Sequence, residues 1–354
     1  MKMMLHLNKP RRWVQNPTIQ VLRGISVLLV FISHTSFAPK NSNFGAAGVG
    51  IFFVISGYVI TGKLQQKTFE MHIQDKSKIK SLLRYFYSRR ARRLIPISYF
   101  VAFAVVILET FTSGENSREY LLALVFIIFY IPNLFGISGL GFTDLPDKLG
   151  HYWSLGVEEQ FYMIWPIIFL FCFKKGPKYS VRVTSVLIGI FFTMHFIPPL
   201  FNVTVWTLPT TYLDLLLIGC ILSIFRTNFD LNLTNFSRQL LSVIQNRFVL
   251  CISLVGILMI PQKSILNVFG GDYALRAALI SIFFISFLSS KITWKAFQKL
   301  GEVSYGFYLI HVPVLAYLSI YSNNNLITAT CAFVITLLLS LLSNKYYESL
   351  FYSR

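Results

Sequence analysis

Residues 19–34, IQVLRGISVLLVFISH, are apolar almost throughout, yet they carry an arginine at position 23 and a histidine at position 34. A run of this kind, continued to about residue 37, suits a helix crossing a hydrocarbon core of ~30 Å. An ionisable side chain inside such a helix costs a few kcal/mol or more, so it persists where it serves a function. At about 100° per residue, the step from Arg23 to His34 sums to roughly 1100°, within about 20° of three full turns, and it advances about 16 Å along the axis. Both side chains therefore leave one helix face at two depths. One internal channel shared by the two explains this spacing. The plainer alternative is an arginine snorkelling to headgroups and a buried, hydrogen-bonded histidine.

The same apolar character repeats outward from this stretch. Of 354 residues, 55% are hydrophobic and 13% are charged, and the mean hydropathy is +0.60. A soluble domain carries roughly a quarter charged residues, so most of this exterior faces something other than water. Apolar segments lie near 19–37, 44–62, 94–112, 120–137, 154–173, 181–200, 206–225, 247–262, 272–290, 301–321 and 326–344. The fold expected is all-α, a polytopic transmembrane helical bundle whose main partner is the lipid bilayer. The basic N-terminus is followed by no small-residue cleavage site, so the first run is read as a retained span. Cys172, Cys220, Cys251 and Cys331 sit within or at the edges of apolar runs without ligand-like spacing, and no metal or prosthetic group is expected.

Charge orients the bundle. The net charge of +18 would suggest nucleic acid in a soluble protein. Here the bases cluster in short connections, which fits orientation by the positive-inside rule and calls for no nucleic acid. The stretch 63–93 holds Lys63, Lys67, Lys76, Lys78, Lys80, Arg84, Arg89, Arg90, Arg92 and Arg93. Placing it, the N-terminus and the later basic loops on the cytoplasmic side requires an even number of crossings between residues 93 and 174. Three apolar segments lie there, so one is re-entrant or broken. The candidate is 120–137, which runs into Pro132 and Asn133. About ten spans result, with both termini cytoplasmic. Only Lys40, Arg118, Lys148, Lys263 and Arg276 of the 32 basic residues then lie outside.

Further polar residues mark the spans. Gly45, Ala46, Ala47, Gly48, Gly50, Ser56 and Gly57 open the second one with small side chains suited to close helix packing. Arg90 and Arg93 share a helix face, and guanidinium groups suit phosphates. HYWSLGVEEQFYMIWP, residues 151–166, brings His151, Trp153, Ser154, Glu158 and Glu159 toward the depth of His34. A carboxylate near an imidazole fixes its tautomer and raises its basicity. Asp214 and His311 fall in later spans.

Together these residues resemble the family-3 membrane acyltransferases, the O-acyltransferases of bacterial glycans. Arg23 and His34 match an arginine, ten residues, histidine pattern, and FFVISGYVI matches the second-span signature. Arg90-Ala91-Arg92-Arg93 before Leu94-Ile95-Pro96 matches an arginine pair before the third span. Trp153-Ser154-Leu155 with Glu158, Glu159, Gln160, Phe161, Tyr162 and Pro166 matches the most distinctive motif. Gly301 to Gly306, continuing through Tyr305, Tyr308, Leu309 and His311, matches a late signature. Many members carry an acidic residue where Gln20 stands and an arginine where Tyr212 stands, positions that bear on the acceptor.

The resemblance implies acetyl-CoA as co-substrate and a glycan or lipid-linked sugar as acceptor, such as O-antigen or exopolysaccharide. It implies a bacterial cytoplasmic (inner) membrane location. Residues 1–354 are expected to form a single membrane acyltransferase domain, with no appended extracytoplasmic esterase-like domain. In the roles it implies, Arg23, Arg90 and Arg93 hold the donor and His34 acts as general base. Glu158 orients or charge-balances His34. Trp153, Ser154, Glu159, Asp214, Tyr305 and His311 support the site or the acceptor. Direct transfer and an acyl-histidine intermediate both remain open. Residue physics alone leaves an enzyme and a transporter or flippase nearly level.

Overall fold

A computed structural model describes residues 16–39, 42–71, 76–112, 117–137, 144–194, 212–228, 242–260, 271–321 and 324–352. All regular structure among them is helical. The first helix, α1, runs Pro17–Ser33. The Asn16 side chain accepts from Thr18 N–H at 3.0 Å and Pro17 occupies the first turn, a favoured start because both answer unpaired backbone N–H groups. Next come α2 (Phe44–Glu70), α3 (Lys76–Thr112), α4 (Ser117–Ile128), α5 (Tyr152–Lys174) and α6 (Pro177–Met194). After them follow α7 (Leu213–Asn228), α8 (Arg247–Met259), α9 (Gly271–Ser290), α10 (Lys295–Glu302), α11 (Ser304–Tyr321) and α12 (Asn325–Leu342).

Glycines set the two closest helix crossings. A Cβ on Gly57 of α2 would overlap the Leu216 carbonyl of α7, and one on Gly219 of α7 would overlap the Val54 carbonyl of α2. Gly24 of α1 and Gly301 of α10 meet the Phe297 and Gln20 carbonyls in the same reciprocal way. Backbones that approach this closely gain dispersion contact where lipid removes the hydrophobic drive between helices. The small residues of the second segment thus pack, as the sequence suggested.

Five helices among the described residues are long and apolar enough to cross a bilayer, or six with the α10–α11 pair, which bends by 77°. The apolar helices α1 and α8 are shorter. Large apolar side chains stand on the surface of α3 (Phe100, Phe103, Ile107), α5 (Ile164, Ile167, Phe171) and α12 (Leu338, Leu341, Leu342). Water would penalise patches of this extent; lipid covers them, so the chain is a multi-pass membrane protein.

Tyrosine hydroxyls from other segments bond the backbone of α3 around its proline. Pro96 lies inside α3, where it removes one backbone donor and its bonded turn. Around it, Tyr305 donates to the Leu94 carbonyl (3.1 Å), Tyr347 to Pro96 O (3.3 Å) and Tyr152 to Ser98 O (2.8 Å). These bonds tie the Pro96 region of α3 to neighbouring segments.

Two expectations meet detail here. The stretch 63–93 is largely helix rather than loop: Lys63–Glu70 finishes α2, and α3 begins at Lys76. The 120–137 segment is broken. Its helix stops at Ile128, Tyr130 takes a left-handed φ of 57°, and a 3-10 turn follows over Pro132–Ile137. Gln160 of α5 holds that turn by donating to Tyr130 O (2.9 Å) and Asn133 Oδ1 (2.8 Å). Parts of the segments 181–200, 206–225 and 247–262 lie outside the described residues, as do Lys40, Arg238 and Lys263.

Candidate active site

The bundle is polar along one internal column, and the column begins at a cluster of bases. Arg23 Nε donates to Ser304 Oγ at 3.1 Å, joining α1 to α11. Arg23 lies in the electrostatic field of Arg93, Arg90 and Glu158. Lys63 lies in that of Arg93, Arg90, Arg23 and Arg89. Arg90 places its guanidinium 3.5 Å from the centre of the Tyr162 ring, and its Nε is 3.7 Å from Glu159 Oε1. The cluster thus gathers the bases of three helices around two carboxylates. Like charges assembled in this excess repel one another and favour an anionic ligand.

Glu158, one of these two carboxylates, is tied to α2 and α5. Its Oε1 accepts from Ser56 Oγ at 2.6 Å, and Ser56 Oγ in turn accepts from Tyr162 O–H at 2.7 Å. One level further on, Ser154 Oγ and Tyr308 O–H share a 2.6 Å hydrogen bond. Tyr308 also reaches the His151 carbonyl at 3.0 Å.

Three imidazoles close the column. His34 caps the C-terminus of α1 with φ −92° and ψ 0°. Its Nδ1 is 2.9 Å from Val30 O. A carbonyl only accepts, so the proton sits on Nδ1 and Nε2 keeps its lone pair. His311 is fully buried, with Nδ1 2.6 Å from Tyr308 O. His151 is 4% exposed, with Nε2 3.1 Å from Leu309 O. By the same reasoning each keeps one lone-pair nitrogen, and neither His311 Nε2 nor His151 Nδ1 has a hydrogen-bond partner. The His311 ring centre is 5.1 Å from His34 and 5.4 Å from His151.

The residues singled out in the sequence thus fall into separate groups. Arg23, Arg90, Arg93, Glu158 and Glu159 meet at the basic level, and Tyr305 packs among them while bonding Leu94 O. Ser154 and His311 belong to the other end. The Trp153 ring lies 5.0 Å from that of Tyr212, tilted by 38°. Asp214 caps the first turn of α7 by accepting from Leu215 N–H at 2.8 Å.

Among the described residues no hydrogen bond or ion pair joins Glu158 to His34, which the sequence reading had paired. The two side chains belong to different levels, and the carbonyl one turn below His34 on α1 does the orienting. The sequence reading also left Lys63, Ser56 and Tyr162 out of the site. Their signal was present, because Ser56 and Lys63 are seven residues apart, two turns along one helix face.

These features define a class, a helical membrane protein with a cluster of bases at one level and three imidazoles at another. The chain belongs to the acyltransferase domain family, which it matches over residues 16–345. It is 30% identical over 315 residues to the peptidoglycan O-acetyltransferase OatA of Listeria monocytogenes, covering 84% of this chain and 49% of that protein. To the O-acetyltransferase OatA of Staphylococcus aureus it is 28% identical over 322 residues, 86% of this chain and 51% of that one. The chain therefore spans about half the length of these relatives. No solved structure matches it.

Proposed function

We propose that the chain acts as a membrane O-acetyltransferase, moving an acetyl or other small acyl group from acyl-CoA to a hydroxyl of a cell-surface glycan. The observation that carries this reading is the column itself, with its surplus of positive charge at one end and the His34 lone pair at the other. The relatives' names, both O-acetyltransferases and one of peptidoglycan, favour a glycan acceptor.

The basic cluster fits a polyphosphorylated donor. Arg23, Lys63, Arg90 and Arg93 would hold the phosphates, and Arg groups would do so with two parallel donors each. The thioester supplies an activated acyl group. His34 Nε2 takes the proton of the acceptor hydroxyl as its oxygen attacks the thioester carbonyl; the C–S bond then breaks, and the imidazolium returns the proton as the CoA thiol leaves, which is general acid–base catalysis. The Val30 carbonyl stabilises the charge that the ring carries in between. The bases face the cytoplasm in the ten-span arrangement of the bacterial cytoplasmic membrane, with both termini inside, and the imidazoles face out. The broken 120–137 segment supports that count.

Purified protein in liposomes, supplied with acetyl-labelled CoA and isolated glycan, tests the reading. Labelled ester should form with wild type and fall to background with His34→Ala. Movement of label across the membrane with no ester formed would favour a transporter.

A further inference from the structure

Beside His34, on the side away from Arg23, the bundle opens into a cleft of about 230 Å³. The cleft lies between the end of α1, the outer half of α11 and the start of α12. It exists because α11 and α12 present small residues there, Ala316 and Ser319 on one and Thr328 and Ala329 on the other. Larger side chains at these positions would fill the space.

The volume restricts the occupant. A single water needs only ~10–15 Å³ of such space, and sites for drug-sized ligands start near ~300 Å³. The cleft therefore takes one ring-sized group, while a chain attached to that group continues outside. The lining restricts its chemistry. Thr35, Ser36, Ser319, Asn325 and Thr328 offer hydroxyl and amide groups, and His34 is the single titratable residue among them. Thr35 and Ser319 give their hydroxyl protons to Ile32 O and Ala316 O, both at 2.7 Å, which leaves oxygen lone pairs to accept from a ligand's hydroxyls. A charged group would find no counter-charge here and would lose its hydration without return. Val312 and Leu315 supply an apolar wall, suited to the C–H face of a ring.

We infer that this cleft is the acceptor subsite, binding one neutral, hydroxyl-rich sugar ring with a hydroxyl directed at His34. The inference rests on the acyltransferase reading above. The donor then reaches His34 along the column and the acceptor through the cleft, so the two substrates occupy different residues.

Liposomes containing the full chain, at matched protein amounts, are assayed with acetyl-CoA and isolated glycan strands, each varied while the other saturates. Ala329→Leu fills the cleft and should raise KM for glycan at least tenfold while KM for acetyl-CoA stays within twofold. Thr328→Val keeps the shape and removes a hydroxyl, and it should raise KM for glycan severalfold. Unchanged glycan KM in both variants would overturn the subsite, as would a rise confined to the donor. If Ala329→Leu fails to accumulate, Thr328→Val decides alone. Wild type that esterifies no glycan would instead sink the acyltransferase reading, a result separate from either variant's.

Discussion

The imidazole of His34 stands edge-on to that of His311, with ring centres 5.1 Å apart and planes at 82°. His311 is fully buried and packs against Phe31 and Phe307 as well, so it braces the His34 ring, which also lines the cleft. A precise ring position matters because a misplaced base loses rate steeply. His311→Phe retains an aromatic ring and removes the nitrogens. It should lower kcat about tenfold, with KM for donor and acceptor both within twofold. Full activity in this variant, at normal protein levels, would leave His311 with packing alone.

Removal of the base itself has a larger effect. General-base catalysis contributes about 10²- to 10⁴-fold, so His34→Gln should lower kcat by a factor in that range. The sign of the pH dependence follows from the role. A base acts unprotonated, so transfer should rise with pH as the imidazole loses its proton. A flat profile from pH 5 to 8, with chemistry rate-limiting, contradicts the assignment.

Glu158→Gln separates the two positions considered for that carboxylate. A partner in contact with His34 would hold its proton more tightly, and losing it would shift the pH midpoint down by about one unit or more. Glu158 bonds Ser56 at 2.6 Å instead. The midpoint of kcat against pH should therefore stay within a few tenths of a unit of wild type.

The basic cluster predicts a different kinetic signature. A hydrogen bond to a charged group contributes about 1.5–3 kcal/mol, and 1.4 kcal/mol is about tenfold in affinity. Lys63→Ala and Arg90→Ala should each raise KM for the acyl-CoA at least tenfold without changing KM for glycan. Arg90→Lys should recover part of the loss, because an ammonium keeps the charge and gives up the planar fork. Equal effects on both substrates would place the cluster elsewhere in the reaction.

Gly57→Val tests the crossing of α2 and α7. Its side chain would overlap the Leu216 carbonyl, and overpacking of this kind costs about 1–3 kcal/mol or more. Detergent-solubilised protein should lose thermal stability, read as a lower midpoint of thermal aggregation. An unchanged midpoint would mean that the helices separate there without penalty.

Much of the site can be read from helical periodicity. Arg23 and His34 share a face because eleven residues close three turns. Pro132 marked the break after Ile128, since proline lacks the donor that a continuing helix needs. Periodicity says less about depth between helices. Glu158 stands in the same motif as His151, yet seven residues of α5 separate their levels, and only the packing of α5 against α2 reveals Ser56 as its partner. Lys63 was hidden for a related reason. Its neighbours in sequence are polar, so it resembles a loop base, whereas α2 continues through it to Glu70. The cleft at Ala316 and Ala329 left no trace in sequence, because small residues mark close packing as often as open space.

The most direct test is the O-acetyl content of cell-surface glycans, measured by mass spectrometry and NMR. It compares cells lacking this protein with cells complemented by wild type or by His34→Ala at matched membrane levels. The account predicts that one O-acyl group is lost in the deletion, returns with wild type and stays absent with His34→Ala. Equal restoration by both proteins would contradict it.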